Sequence, residues 1–150
     1  MMKSDIEYMN IAIAEARKAF DEDEIPIGAV VVCKGRIIAR THNLTEMLND
    51  VTAHAEMQAI TAAATNIGGK YLNDCTLYVT VEPCPMCAGA IVLARVDAVI
   101  WALSDPKRGG GTEFGIFSHP GINHHPKVTA GVLSQDSSIL LKGFFKERRQ

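Results

Sequence analysis

No internal repeat, low-complexity tract or linker interrupts the 150 residues, and a chain of this order fits one domain rather than two. Long apolar runs are missing too. The opening stretch, MMKSDIEYMNIAIAEARKAF, breaks every apolar run with a charge, short of the roughly seven-residue apolar core of a secretory leader. No window approaches the ~20 apolar residues of a membrane span. A cytoplasmic protein without membrane association is therefore expected. Net charge is nearly absent as well. Lys and Arg number 15 against 17 Asp and Glu, leaving −2, which argues against a polybasic nucleic-acid binder but leaves room for a local basic patch. Cysteine is sparse, at four. Without an export signal, two disulfides are a poor reading, and metal ligation or buried thiols a better one. Apolar material is plentiful: 47% hydrophobic against 21% charged residues supplies a core and excludes wholesale disorder.

Periodicity orders the chain into alternating elements. Ser4 and Asp5 offer N-cap signals, and Ile6, Met9, Ile13, Ala16 and Phe20 form a helical stripe that ends at the acidic run Asp21 to Glu24 and Pro26. The β-branched run Gly28 to Cys33 predicts a strand buried on both faces, followed by a turn at Lys34-Gly35 and a return strand to Thr41. An Ala-rich helix is expected from Thr52 to Thr65, stopped by Gly68-Gly69. Thr76 to Val81 reads as a strand, and Pro83 and Pro85 permit a helix that runs through Leu93. Val96 to Trp101 is a further strand, then Ser104 to Asn123 is Gly-rich and irregular with a short turn near Phe114. Lys127 to Val132 suits a short strand and Asp136 to Arg149 a terminal helix with a basic end. Helices alternating with buried strands predict an α/β fold in three layers, α/β/α.

Two segments carry chemistry together. Thr52-Ala53-His54-Ala55-Glu56 opens one predicted helix, and Glu82-Pro83-Cys84-Pro85-Met86-Cys87 opens another. A Cys-x-x-Cys pair at a helix N-terminus puts both sulfurs on one face, where free amides favour thiolate. His54 sits at a helix N-terminus too, so parallel helices would join it to Cys84 and Cys87. Two thiolates and one imidazole make a three-ligand zinc site with a fourth position open to water, whose pKa zinc lowers to about 7. Glu56 lies two residues from His54, placed to carry protons rather than to ligate. Asn43 follows the second strand in a nearby loop. Cys33 and Cys75 have no partner motif and read as buried free thiols.

His-x-Glu followed by Pro-Cys-x-x-Cys resembles the signature of the zinc-dependent cytidine/deoxycytidylate deaminase superfamily, whose nucleobase chemistry is well defined. Within it the chain most resembles the bacterial tRNA-specific adenosine deaminases. The likeness runs through IPIGAVVV from Ile25, Asn43 and TAHAE, and TLYVTVEPCPMCAGAI from Thr76. It continues through SDPKRGG from Ser104, HPGINH from His119 and GFFKERRQ from Gly143. The resemblance implies a cytidine-deaminase-like fold, with a central mixed sheet of about five strands and helices on both faces. It implies one deaminase domain over residues 1–150, with a zinc core at about 4–132 and a C-terminal basic helix at about 134–149. His54, Cys84 and Cys87 would hold one Zn2+ per subunit, and Glu56 would shuttle protons. Asn43 and the backbone near Ala55 would hold the flipped base. Asp105, Lys107, His119 and Asn123 would face RNA from two loops. Phe144, Phe145, Lys146, Arg148 and Arg149 would face it from the terminal helix. The implied partners are a tRNA anticodon stem-loop and a second copy of the chain, with no DNA expected.

Several readings compete at this stage. Splayed anticodon bases call for aromatic stacking beside cations, which Phe144 and Phe145 supply among Lys142, Lys146, Arg148 and Arg149. Equally, one of the two rings could form the apolar face of a docked helix. Asp105 suits a turn or cap as well as an RNA contact, and Lys107 to Gly111 suits a flexible loop. For the whole protein, the resemblance implies hydrolytic deamination of adenosine to inosine at the wobble position. A free guanine or cytosine deaminase shares the same zinc chemistry, and a non-catalytic zinc-stabilised module is the more distant rival. Glu56 argues against the last, since a structural site has no use for a carboxylate beside an open ligand position.

Overall fold

The computed structural model describes residues 3–148. Helix α1 (Asp5–Asp21) starts at a capping box: Ser4 Oγ accepts from the Glu7 amide at 3.3 Å, and Glu7 Oε1 accepts from the Ser4 amide at 3.2 Å. Strand β1 (Gly28–Cys33) pairs antiparallel with β2 (Arg36–His42) through a bulge at Val31/Val32. Helix α2 (Ala55–Ile67) follows, then β3 (Cys75–Val81), α3 (Pro85–Leu93) and β4 (Ala98–Leu103). A 3-10 turn at Ile116–Ser118, strand β5 (Lys127–Ala130) and helix α4 (Ser134–Arg148) complete the chain.

The sheet runs β2-β1-β3-β4-β5 and is mixed: β3 pairs antiparallel with β1 and parallel with β4, and β4 pairs parallel with β5. Alternate residues of β1 enter separate cores, as a strand buried on both faces requires. Ala29 and Val31 pack with α2 and α3 through Ala55, Ala59, Ala63, Ala88 and Ile91. Val30 and Val32 pack with α1 through Met9, Ala12 and Ile13, where Leu140 of α4 also docks. Three layers result, as expected. No helix among the described residues is long and apolar enough to cross a membrane.

Three expectations shift. Ile6 is 55% exposed, and the buried stripe of α1 is Tyr8, Met9, Ala12, Ile13, Ala16 and Ala19. Gly28 packs against the middle of that face, where an added Cβ would stand 2.6 Å from the Ala16 nitrogen and clash with the Ala12 carbonyl. Only small residues on α1 allow that approach. Helix α2 begins at Ala55 rather than Thr52, because Thr52 donates its amide and hydroxyl to Asp50 Oδ1 in a turn, each at 2.8 Å. Strand β4 begins at Ala98 rather than Val96. Arg95 turns out of α3 at φ 57° and Val96 still donates to the Ile91 carbonyl. The short turn expected near Phe114 is present over residues 110–114, and a 3-10 turn follows at Ile116–Ser118. Cys33 and Cys75 are free thiols facing each other across β1 and β3, and burial pushes Cys75 up to about 12.

Candidate active site

Two helix N-termini meet beyond the carboxyl end of β3. His54 and Cys84 are the N-cap residues of α2 and α3, both with extended backbone and neither spending its side chain on the cap. Pro85 fills the first position of α3, where the absent amide hydrogen costs nothing, and one turn on Cys87 faces the same point. His54 Nδ1 lies 3.6 Å from Cys84 Sγ and 3.5 Å from Cys87 Sγ. Donor atoms of the three residues all lie within 4.8 Å of one another. Hydrogen bonds accepted from Cys87 and from His54 hold Cys84 down at about 4 despite burial. Cys87 is pushed up by its bond to Cys84 and by its own burial, and His54 is raised chiefly by Cys84. Two sulfurs and an imidazole, one sulfur already favoured as thiolate, form a donor set suited to zinc.

Glu56 lies in the first turn of α2, only 4% exposed, and burial pushes its carboxyl up to about 7. A cavity of about 390 Å³ opens over His54, Ala55 and Glu56, walled by Asn43, Ile25, Ile27 and Val51. Asn43 is buried at 4% and sits in an Asx turn, Oδ1 accepting from the Thr45 amide at 3.4 Å and Nδ2 donating to Thr45 Oγ1 at 3.3 Å. The arrangement places three donors that could hold a metal ion, a buried carboxyl and an amide at one small recess.

The outer residues divide. Asp105 Oδ1 accepts from the amides of Lys107 and Arg108, both at 3.1 Å, so its carboxylate is engaged in a turn. That turn leaves the Lys107 side chain exposed. His119 and Asn123 are exposed and do not line the cavity. The next residue, His124, bonds the Val96 carbonyl near the start of β4, the end of that strand away from the triad. Phe144 is corrected outright: it is 5% exposed and packs edge-on against Phe20 with centroids 5.8 Å apart, so its face is unavailable to a base. Phe145 is 43% exposed, beside exposed Lys146. Arg148 is held at the surface, to Asp23 Oδ1 at 2.5 Å and over the Phe144 ring at 3.8 Å. Arg149 lies outside the described residues.

Other parts of the site escaped the sequence. Ile25 and Ile27, just before β1, and Val51, in the loop before α2, wall the cavity from two separate segments, and only the topology unites them. Gln58 Nε2 donates to the carbonyls of His42 and Ala53, at 2.8 and 3.1 Å, tying together the residues that precede Asn43 and His54. Its position one turn after His54 was the available signal. The buried carboxylate of Glu24 accepts from the amides of Glu46 and Met47 at 2.9 and 2.7 Å, holding the loop that forms one wall.

The MafB19-like deaminase family matches residues 3–149. Among curated proteins, the tRNA-specific adenosine deaminase of Bacillus subtilis is 47% identical over 150 residues, covering 99% of this chain and 93% of that protein. The tRNA-specific adenosine deaminase of Agrobacterium fabrum is 47% identical over 144 residues, covering 95% and 94%. A solved structure from a study of A-to-I editing by tRNA:A34 deaminases at the wobble position of transfer RNA superposes at TM-score 0.87 and 45% identity, covering 90% of this chain and 99% of that one. The guanine deaminase of Bacillus subtilis superposes at TM-score 0.64 and 32% identity, covering 96% and 93%.

Proposed function

The chain belongs to the MafB19-like deaminase family, and from that membership we propose that it hydrolyses adenosine to inosine at the wobble position of a tRNA anticodon. The observation that carries this reading is 47% identity to tRNA-specific adenosine deaminases across nearly the whole chain. The geometry supports it with a recess of the size a single extruded base needs. In balance, water adds at C6 of the purine, the C6–N6 bond breaks, and ammonia leaves as the C6 carbonyl forms.

His54, Cys84 and Cys87 would hold a zinc ion, which supplies a Lewis acid that makes water acidic at neutral pH. Ile25, Ile27 and Val51 clasp the flat faces of the base and exclude bulk water. Asn43 and the backbone near Ala55 orient its polar edge. Glu56 takes a proton from the attacking water and passes it to ring N1, then takes the second from the new C6 hydroxyl and passes it to the departing amine, so a single buried carboxyl serves both transfers. Outside the recess, Lys107, Phe145 and Lys146 meet the RNA. Asp105 acts there through its turn and Arg148 through its hold on Phe144. His119 and Asn123 reach RNA only away from the recess. The same reading takes the whole chain as one deaminase domain, in the cytoplasm, acting as a homodimer. Leu93, apolar and 78% exposed, is a surface that a second copy would cover.

The test is deamination by zinc-loaded protein of an anticodon stem-loop bearing a wobble adenosine, against free adenosine, guanine and cytosine. Inosine formed in the RNA alone is expected. The likeness to guanine deaminase favours one rival, and ammonia from free guanine with the stem-loop untouched would establish it instead.

A further inference from the structure

Glu82 stands at the junction of β3 and the metal-binding cysteines, one proline before Cys84. It is 4% exposed, and both of its carboxylate oxygens are filled. Oε1 accepts from the Asp105 amide at 2.9 Å and from Thr112 Oγ1 at 2.7 Å, and Oε2 from the amides of Gly111 at 3.1 Å and Thr112 at 2.5 Å. All four donors belong to one loop. A buried carboxylate is kept only when its lone pairs are satisfied, and here the 105–112 segment does all of it.

The loop is fitted to that carboxylate. A Cβ at Gly109 would collide with the Glu82 carboxyl group, and one at Gly110 would stand 3.0 Å from the carbonyls of Pro83 and Cys84. The Gly110 amide donates to the Pro83 carbonyl at 2.8 Å. Asp105, fixed at its own amide by Glu82, in turn holds the amides of Lys107 and Arg108. Two exposed cations are thus carried on a loop bonded to the residues that flank Cys84.

We propose that Glu82 is a positioning residue that sets where the Lys107–Arg108 cations stand relative to the His54–Cys84–Cys87 cluster, and thereby the register of the RNA backbone against the recess. This rests on the deaminase reading above. Cations that grip phosphate bind the ground state and the transition state alike, so loosening them raises KM and spares kcat. Phosphate contacts also give binding its salt dependence, so a displaced cation flattens that dependence.

The experiment compares the parent with Glu82→Gln and Thr112→Val on the wobble-adenosine stem-loop at several salt concentrations, with zinc content and tryptic cleavage after Lys107 and Arg108 measured alongside. Glu82→Gln replaces an acceptor by a donor facing amides. It is expected to raise KM about tenfold with kcat within about twofold, at full zinc content. The slope of log KM against log salt should fall by about 1, and cleavage at the loop should quicken. Thr112→Val removes one of the four hydrogen bonds and should move the same quantities less, so the test survives if Glu82→Gln does not fold. Unchanged KM and salt slope in both variants would overturn the proposal. So would a fall in kcat that tracks lost zinc at unchanged KM, which would assign Glu82 to the placement of Cys84 instead. A parent inactive on the stem-loop would overturn the deaminase reading, and loop cleavage alone would then decide: equal rates in parent and variants would overturn the role of Glu82.

Discussion

Adjacent residues of this chain carry opposite duties, and the pair Phe144 and Phe145 shows how completely one position separates them. Phe144 closes against Phe20 and under Arg148, while Phe145 looks outward from the same helix. Phe144→Ala should cost about 3–5 kcal/mol in urea denaturation, the usual loss for a truncated core ring. Phe145→Ala should leave stability within about 0.5 kcal/mol and instead raise KM for the stem-loop. His54 and Glu56, two residues apart, differ as much in the work proposed for them. Glu56→Ala should keep its zinc by metal analysis and lose about 10²–10⁴-fold in kcat, the range that general acid-base groups supply. Equal activity in that variant would remove Glu56 from the mechanism.

Among the elements, α1 is held by shape at Gly28 and by charge at Glu15. Glu15 is 4% exposed and is met from β2 by His42 Nδ1 at 2.9 Å and Arg40 Nε at 3.4 Å, and from its own helix by Lys18 Nζ at 2.9 Å. Glu22 faces the other side of the His42 ring at 2.5 Å. Burial works to raise the Glu15 carboxyl, but the bonds from His42 and Lys18 outweigh it and leave it below its ordinary 4.5. A carboxylate lowered by folding stabilises the folded state above its unfolded pKa, and that contribution is lost as pH falls through the lowered value. Between about pH 6 and about pH 3, the urea midpoint of the parent should therefore fall further than that of Glu15→Gln. Boundaries were the least legible part of these elements. The strand run GAVVVC and the stop at Gly68 declare themselves in sequence, since β-branching and a φ of 76° are local demands. The start of α2 depends on a side chain, Asp50, capturing Thr52, and periodicity does not see such a capture.

At the scale of the whole molecule, the clustering of His54, Cys84 and Cys87 was readable because their spacing is chemistry. The cavity walls were not, because Ile25, Ile27 and Val51 look like any apolar residues until the sheet brings their segments together. The outer surface was read least well: the cations and aromatics of the last helix were visible, but which of them the fold consumes was not. One prediction belongs to this scale. The ligands join α2 to α3 across the core face they share, so stripping metal with a chelator should lower the melting temperature, and added zinc should restore it. Indifference of the melting temperature to both treatments would argue against a bound ion.

The topology also imposes an order on the making of the centre. His54 comes with the β1–β2 hairpin and α2, whereas Cys84 and Cys87 lie inside the crossover that links β3 to its parallel neighbour β4. A growing chain on the ribosome presents the imidazole some 30 residues before the first thiol. The two thiols then follow within one turn, but they face the imidazole only once β3 has paired against β1. Closure of the triad thus waits on synthesis through Cys87 and on the pairing of β3 with β1, and it reports that the first hairpin and β3 have come together.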